Sequence, residues 1–226
     1  MMPNRNKAVI WDMDGVIADT APYHQRAWQE VFRKRGKSYT EDDFRSNFGK
    51  RNDTIIRNIL GSHVSAEEME AITTEKEMSF RESARGNLKP LPGAIELLRS
   101  LHEHGFSQAL GSSAPIENIR LVTRQLGIEG FFPVIAAGRD VKEGKPSPQG
   151  FLLAAEKLGT LPQDCVVIED ATAGVTAAKR AGMHCIAVTN TNPKAKLARA
   201  DLVVDTLEKV TISAVESLLK HSRNRD

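Results

Sequence analysis

Cysteine is nearly absent from this chain: two residues, Cys165 and Cys185, among 226. That scarcity excludes a disulfide-stapled scaffold of the secreted type. Both thiols sit inside apolar runs (CVVI and HCIAV), where cysteine serves as a small hydrophobe, so both are expected buried in adjacent strands of a protein in a reducing, cytoplasmic compartment. An excess of one charge is missing too. Lys+Arg number 31 against Asp+Glu 29, a formal charge of +2, with the signs interspersed, which excludes the basic stripe of a nucleic-acid binder. No apolar run approaches the roughly 18 residues of a membrane-spanning helix, and no long apolar segment precedes the first strand, so neither a span nor a signal peptide is expected. The short basic start (Asn4, Arg5, Asn6, Lys7) and end (Lys220, His221, Arg223, Arg225) read as solvated tails.

What is present is a core and a rhythm. Hydrophobic residues make up 40% of the chain and charged ones 27%, which suits a globular fold. From residue 93 onward an amphipathic helix ends in glycine and a short apolar strand follows. The helices 94–104, 116–126, 151–158 and 172–181 end at Gly105, Gly127, Gly159 and Gly182. The strands FSQAL, VIAAG, CVVIED and HCIAVTN are continuous apolar runs, as are KAVIW (7–11) at the start and LVVD (202–205) at the end. Unalternating apolar strands imply burial on both faces, hence a parallel α/β sheet covered by helices. Between Ile17 and Lys89 the rhythm breaks into helical patterns alone. Tyr23, Ala27, Trp28 and Val31 fall at helical spacing, Thr40–Asp43 and Ser65–Glu68 look like capping boxes, and Asp53 is a further candidate cap. The expected organisation is a Rossmann-like core of residues 1–17 and 90–226 with an inserted helical cap of residues 18–89.

Ligands of open parallel sheets bind beyond the carboxyl ends of the strands. KAVIW is followed by Asp12-Met13-Asp14-Gly15, and on an extended chain positions i and i+2 point the same way, so both carboxylates are expected to face one site. FSQAL leads to Ser112 and Ser113, VIAAG to Lys145, and CVVI to Glu169-Asp170. Carboxylates converging on one crevice repel, and a hard divalent cation such as Mg²⁺ relieves that repulsion. With Lys145 the set suits a dianionic phosphoryl group, to which Ser112 can donate a hydrogen bond. Asp12 is then the candidate nucleophile and Asp14 the candidate acid/base. Taken singly, each piece has a plainer reading: a turn for Asp-x-Asp-Gly, a helix cap for Ser112, a surface lysine for Lys145. Their order at successive strand ends is what points to chemistry.

These motifs, VIWDMDG (9–15), LGSS (110–113), GKPSP (144–148) and VIEDATAG (167–174), resemble those of the haloacid-dehalogenase superfamily over nearly the whole chain. The resemblance implies a Rossmann-like core with a helical cap. It implies Asp12 as nucleophile, Asp14 as acid/base, Ser112 and Lys145 on the phosphoryl group, and Mg²⁺ held by Asp12, Asp14 through its carbonyl, Glu169 and Asp170. Within the superfamily the run Asp19-Thr20-Ala21-x-Tyr23-His24-x-x-Ala27-Trp28 resembles the beta-phosphoglucomutase group and its sugar-phosphate phosphatases. That likeness implies substrate-side roles for His24, Lys76, Asn118, Arg51 and Ser113. Three departures stand out. Ser113-Ala114-Pro115 replaces the group's Ala-Ser-Lys, the basic residues Lys50 and Arg51 come early after Gly49, and Gln149 stands where an acid is usual.

A mutase must hold a bisphosphate in two orientations, whereas a phosphatase needs one phosphate site and admits water. Without a hydroxyl and lysine after Ser112, the expectation is a phosphatase of small sugar-type phosphomonoesters, acting as a monomer. A beta-phosphoglucomutase-type mutase is the alternative. A phospho-accepting signalling domain is a third possibility, but such a domain would lack Asp-x-Asp-Gly on its first strand and the helical insertion.

Overall fold

A computed structural model describes residues 7–221. The chain begins with β1 (Ala8–Trp11) and then forms four helices in succession: α1 (Ala21–Arg33), α2 (Glu41–Asn47), α3 (Asn52–Leu60) and α4 (Ala66–Ala84). Helices and strands then alternate: α5 (Ala94–Glu103), β2 (Ser107–Gly111), α6 (Ile116–Gln125), β3 (Val134–Ala136), α7 (Gln149–Leu158), β4 (Cys165–Glu169), α8 (Thr172–Arg180), β5 (His184–Val188), β6 (Leu202–Val204) and α9 (Ile212–His221). The strands form one six-stranded sheet in the order β3-β2-β1-β4-β5-β6, every pair parallel. Strand order reverses beside β1, so loops after β1, β2 and β4 open a crevice there.

The two sheet faces are read off alternate residues. Val9, Trp11, Leu110, Val166 and Ile168 pack with Leu98 of α5, Ile119 of α6 and Val215 of α9. Ala8, Ile10, Ala109, Cys165 and Val167 pack with Phe151 of α7 and Val175 of α8. Both cysteines are free, buried and in neighbouring strands. Helices thus cover both faces, and the apolar strands follow from that double burial.

Helices α1–α4 hold a cluster of their own, built from Trp28, Val31, Phe32, Tyr39, Phe44, Phe48, Ile55, Ile56 and Ile72. Thr40 and Asp43 cap α2 reciprocally, whereas at α4 the Ser65 hydroxyl accepts from Glu68 N without the return bond. Asp53 is not a cap: α3 starts after Arg51, and Asp53 sits in its first turn paired with Arg51 and Arg57. The chain enters and leaves this helical insertion side by side, through a bridge between Ala18 and Pro90.

The ends also differ from expectation. Lys7 is anchored to Glu216 of α9 at 2.8 Å, and Lys220 and His221 belong to that helix. The remaining basic end residues, Asn4 to Asn6, Arg223 and Arg225, lie outside the described residues. Among the described residues no helix is long and apolar enough to cross a membrane.

Candidate active site

Strand β1 ends at Trp11, which delivers Asp12 to the crevice with only 3% exposure. Its neighbour β4 delivers Glu169 and Asp170, both fully buried. One oxygen from each of Asp12, Glu169 and Asp170 lies within 4.8 Å of the others. Lys145 reaches in from the loop before α7, its Nζ 2.8 Å from Asp12 Oδ1 and 2.6 Å from Glu169 Oε1. The Lys145 Nζ lies over the Phe151 ring, 4.9 Å from its centroid.

The electrostatics follow from this crowding. The Asp12 carboxyl is pushed up to about 7: burial raises it most, Lys145 draws it down, and Glu169 and Asp14 add to the rise. Asp170 is raised well above the usual carboxylate range by burial, then by Glu169 and Asp12. Burial would favour neutral Lys145, but Asp12 and Glu169 outweigh it and hold the ammonium well above its ordinary value. Three acids around one lysine leave uncompensated negative charge.

Whether a cation fits can be judged from the oxygens. Glu169 Oε2 accepts from the backbone of Asp170 and Ala171, and Asp170 Oδ2 accepts from Thr191. Asp170 Oδ1 is buried with no partner. An orphaned buried carboxylate oxygen beside Asp12 is the donor set of a hard divalent cation. Glycine makes room for it: a Cβ at Gly15 would sit 2.1 Å from Asp170 Oδ2, and one at Gly174 would sit 1.6 Å from Glu169 Oε1.

Asp14 shares a pocket with Asp12, as the i and i+2 spacing implies, but is held from the cap side of it. The chain leaves the strand after Trp11, Asp14 bridges to Ala18, and its carboxylate turns to the cap. Asp14 Oδ1 accepts from Thr20 Oγ1 at 2.6 Å and meets His24 Nε2 at 3.1 Å. Burial alone would raise the Asp14 carboxyl, but the field and hydrogen bond of His24, with the Thr20 hydroxyl, bring it below its ordinary value. Its side chain is therefore separate from the three-acid cluster, which leaves only its backbone as a possible metal contact. His24 Nδ1 meets Lys76 Nζ at 2.9 Å, and because a lysine ammonium only donates, Nδ1 accepts and Nε2 carries the proton offered to Asp14.

Asp12, Asp14, His24, Lys76 and Ser113 line one pocket, walled by Trp28, Tyr39, Phe44, Phe48 and Ile55 of the insertion. Ser112 lies beside Lys145 in an adjoining hollow, its Oγ accepting from Ala114 N and its proton free to donate elsewhere. Of the residues expected at the substrate, Arg51 lines the hollow of Ser112 and Lys145 rather than the main pocket, and Asn118 lines neither. The Arg51 guanidinium donates to the carbonyls of Val141 and Lys142, tying the insertion to a core loop. Asn118 is fully buried, with both ends of its amide bonded to α4, and does not line this pocket. Gln149, the departure from the usual acid, accepts from the Lys142 and Glu143 amides and fixes that same loop.

Sequence reasoning missed Thr20, Lys50, Asn52 and Glu77. Thr20 was visible inside the Asp19–Trp28 run. Lys50 lines the pocket half-buried, its ammonium free of hydrogen bonds and ion pairs among the described residues, and burial lowers its basicity. Glu77 had no signal, because neighbours on a helix seldom share a face with each other.

A family model described as haloacid dehalogenase-like hydrolase matches residues 6–182. Hexitol phosphatase A of Escherichia coli is 34% identical over 209 residues, covering 92% of this chain and 95% of the relative. The beta-phosphoglucomutase of Bacillus subtilis is 32% identical over 229 residues, covering 97% and 98%. The crystal structure of a beta-phosphoglucomutase from Clostridium difficile superposes with a TM-score of 0.88 at 30% identity, covering 97% of this chain and all of that one.

Proposed function

The chain belongs to the haloacid dehalogenase-like hydrolases, and from that premise we propose that it is a magnesium-dependent phosphatase of small sugar-type phosphomonoesters that works through an aspartyl-phosphate. The observation that carries this reading is the Asp12–Lys145 contact beside Glu169 and Asp170, opening onto a pocket that also holds Asp14.

Asp12, Asp170, Glu169 and the Asp14 carbonyl are the groups that would hold Mg²⁺, which supplies charge neutralisation for the phosphoryl oxygens. Lys145 offsets the Asp12 charge and lets a dianionic phosphoryl group approach. The Ser112 hydroxyl donates to one of its oxygens. Asp12 attacks phosphorus in line as the bond to the leaving oxygen breaks, and protonated Asp14 gives that oxygen its proton. The Asp14 carboxylate then takes a proton from water as the water oxygen attacks phosphorus, which releases phosphate and restores Asp12. The Asp14 pKa, lowered from its ordinary value, suits this second step, which needs a carboxylate.

The pocket wall supports a small organic moiety over a second phosphate. Lys76 is already committed to His24 and Glu77, the Arg51 guanidinium to the Val141 and Lys142 carbonyls, and Asn118 to Glu77 and Arg81; among the described residues Lys50 is the one uncommitted ammonium on the pocket wall, and Ala114 stands at its edge. A mutase is the second reading, favoured by the His24–Lys76 contact that joins the cap to Asp14.

A panel of hexose, pentose and short polyol phosphates with Mg²⁺ tests the proposal. Free phosphate is measured beside glucose 6-phosphate formed from beta-glucose 1-phosphate. Phosphate release from a sugar or polyol phosphate supports the phosphatase, whereas isomerisation without release overturns it in favour of the mutase.

A further inference from the structure

The mechanism above leaves one buried carboxylate without a task. Glu77 of α4 is 4% exposed, and its two oxygens are divided between the insertion and the core. Oε1 accepts from Lys76 Nζ at 2.8 Å and from Asn52 Nδ2 at 2.7 Å. Oε2 accepts from Asn118 Nδ2 of the core helix α6 at 2.5 Å. Asn118 Oδ1 in turn accepts from Arg81 of α4 at 3.0 Å. From Lys76 the contacts continue to His24 Nδ1 at 2.9 Å and from His24 Nε2 to Asp14 Oδ1 at 3.1 Å. An unbroken series of hydrogen bonds therefore runs from α6 through the cap to Asp14.

We propose that Glu77 is a positioning residue for the reaction: by gripping Lys76 with one oxygen and Asn118 with the other, it orients the His24–Asp14 pair when the cap is seated against α6. The inference rests on the reading of Asp14 as acid/base.

Three physical points carry it. Lys76 is 2% exposed, and a buried ammonium is costly unless paired, so its place under His24 depends on Glu77. Lys76 and His24 have little freedom to find other partners. Phe80 stacks on the His24 ring at 4.0 Å, and Lys76 Nζ lies over the Trp28 and Phe80 rings at 5.2 and 5.5 Å. Finally, a salt bridge serving packing alone would need only Lys76 and Glu77. The added bond to Asn118 makes the arrangement depend on contact between α4 and α6.

The test compares two leaving groups with Mg²⁺ present: an alkyl phosphate, whose oxygen needs a proton, and p-nitrophenyl phosphate, whose phenolate leaves without one. The alkyl substrate is the fastest of the panel above, with sorbitol 6-phosphate tried first. Two variants are used, Glu77→Gln and Asn118→Leu; the second leaves Lys76 paired and guards against a misfolded first. For each, kcat/KM on the alkyl phosphate is expected to fall about 10- to 100-fold and kcat/KM on p-nitrophenyl phosphate less than about threefold, because kcat/KM reports the transfer to Asp12 and not the later attack of water that both substrates share. The double variant Glu77→Gln with Asn118→Asp exchanges donor and acceptor across the same contact and should recover part of the alkyl rate. Equal losses on both substrates, or no loss, would overturn the proposal. So would a rise in KM at constant kcat, which would make Asn118 a substrate contact. A wild-type enzyme that releases phosphate from neither substrate would overturn the phosphatase reading and this inference with it.

Discussion

The Lys145 ammonium lies 2.8 Å from Asp12 Oδ1, and the two side chains are only 8% and 4% exposed. Removing one member of such a pair leaves the other charge buried and uncompensated, at a cost of about 3–5 kcal/mol. Lys145→Met should therefore lower the melting temperature in EDTA, and Mg²⁺ should restore more stability to the variant than to the wild type. Its kcat should fall roughly 10²–10³-fold, as for other lost donors to a transferring group. Calorimetry with and without Mg²⁺, paired with phosphate release, checks both parts.

Asp12→Asn should abolish turnover, because the amide cannot attack phosphorus to form the acyl phosphate. Asp14→Asn should keep the fold and lose roughly 10²–10⁴-fold in rate, the range of a missing acid/base. Initial rates of phosphate release decide this. Wild-type rates for Asp12→Asn would remove Asp12 as the nucleophile.

Much of this was legible in the sequence. Unbroken apolar runs gave the strands, glycine ends the helices, and acids after β1 and β4 marked the crevice. What escaped was mostly helix-borne. Glu77 follows Lys76 directly, and helical neighbours usually diverge. Here both point inward because α4 is enclosed on one side by the cap cluster and on the other by α6. Asn118 is bonded to Glu77 and Arg81 instead of lining the pocket, and Arg51 lines the hollow of Lys145 while tied to a core loop, since a capped chain leaves open which polar ends meet substrate and which tie cap to core. Asp14 shares the pocket with Asp12, as the spacing implied, but its bonds to Thr20 and His24 were not legible, because the strand stops at Trp11 and the chain turns there.

Gly174 stands inside α8 with Glu169 against it, and an added Cβ would fall 1.6 Å from Glu169 Oε1. Gly174→Ala should displace that carboxylate from Lys145 and the cluster. The expected outcome is weaker Mg²⁺ binding and at least about tenfold lower activity, even though alanine favours the helix. Titration of activity against Mg²⁺ concentration reads it.

Glu77 is held down to about 2, against an ordinary 4.5: burial would raise it, but Lys76, His24 and the bonds from Lys76 and Asn52 win. A depressed carboxyl stabilises the fold above its unfolded value, and that contribution is lost as pH falls through its folded value. The difference in unfolding free energy between wild type and Glu77→Gln should thus hold steady above about pH 5 and shrink by roughly 3 kcal/mol toward pH 2. Urea melts across that range provide the measurement.

Lys50 faces the pocket with a half-buried ammonium that no carboxylate answers among the described residues. Lys50→Met should raise KM about tenfold, equivalent to roughly 1.4 kcal/mol of binding, and leave kcat within about threefold. Saturation curves on the best substrate of the panel check it, and an unchanged KM would remove Lys50 from the binding surface.

Strands β1 and β4 lie side by side in the middle of the sheet, each flanked by two further strands, while polar ties such as Arg51 to Val141 help hold the insertion against the core. Local opening begins where buried apolar contacts are fewest. On warming, the lid should loosen before the seat beneath it does. The enzyme would then lose its discrimination among substrates while its bond-breaking groups were still assembled, and become less choosy before it becomes inert.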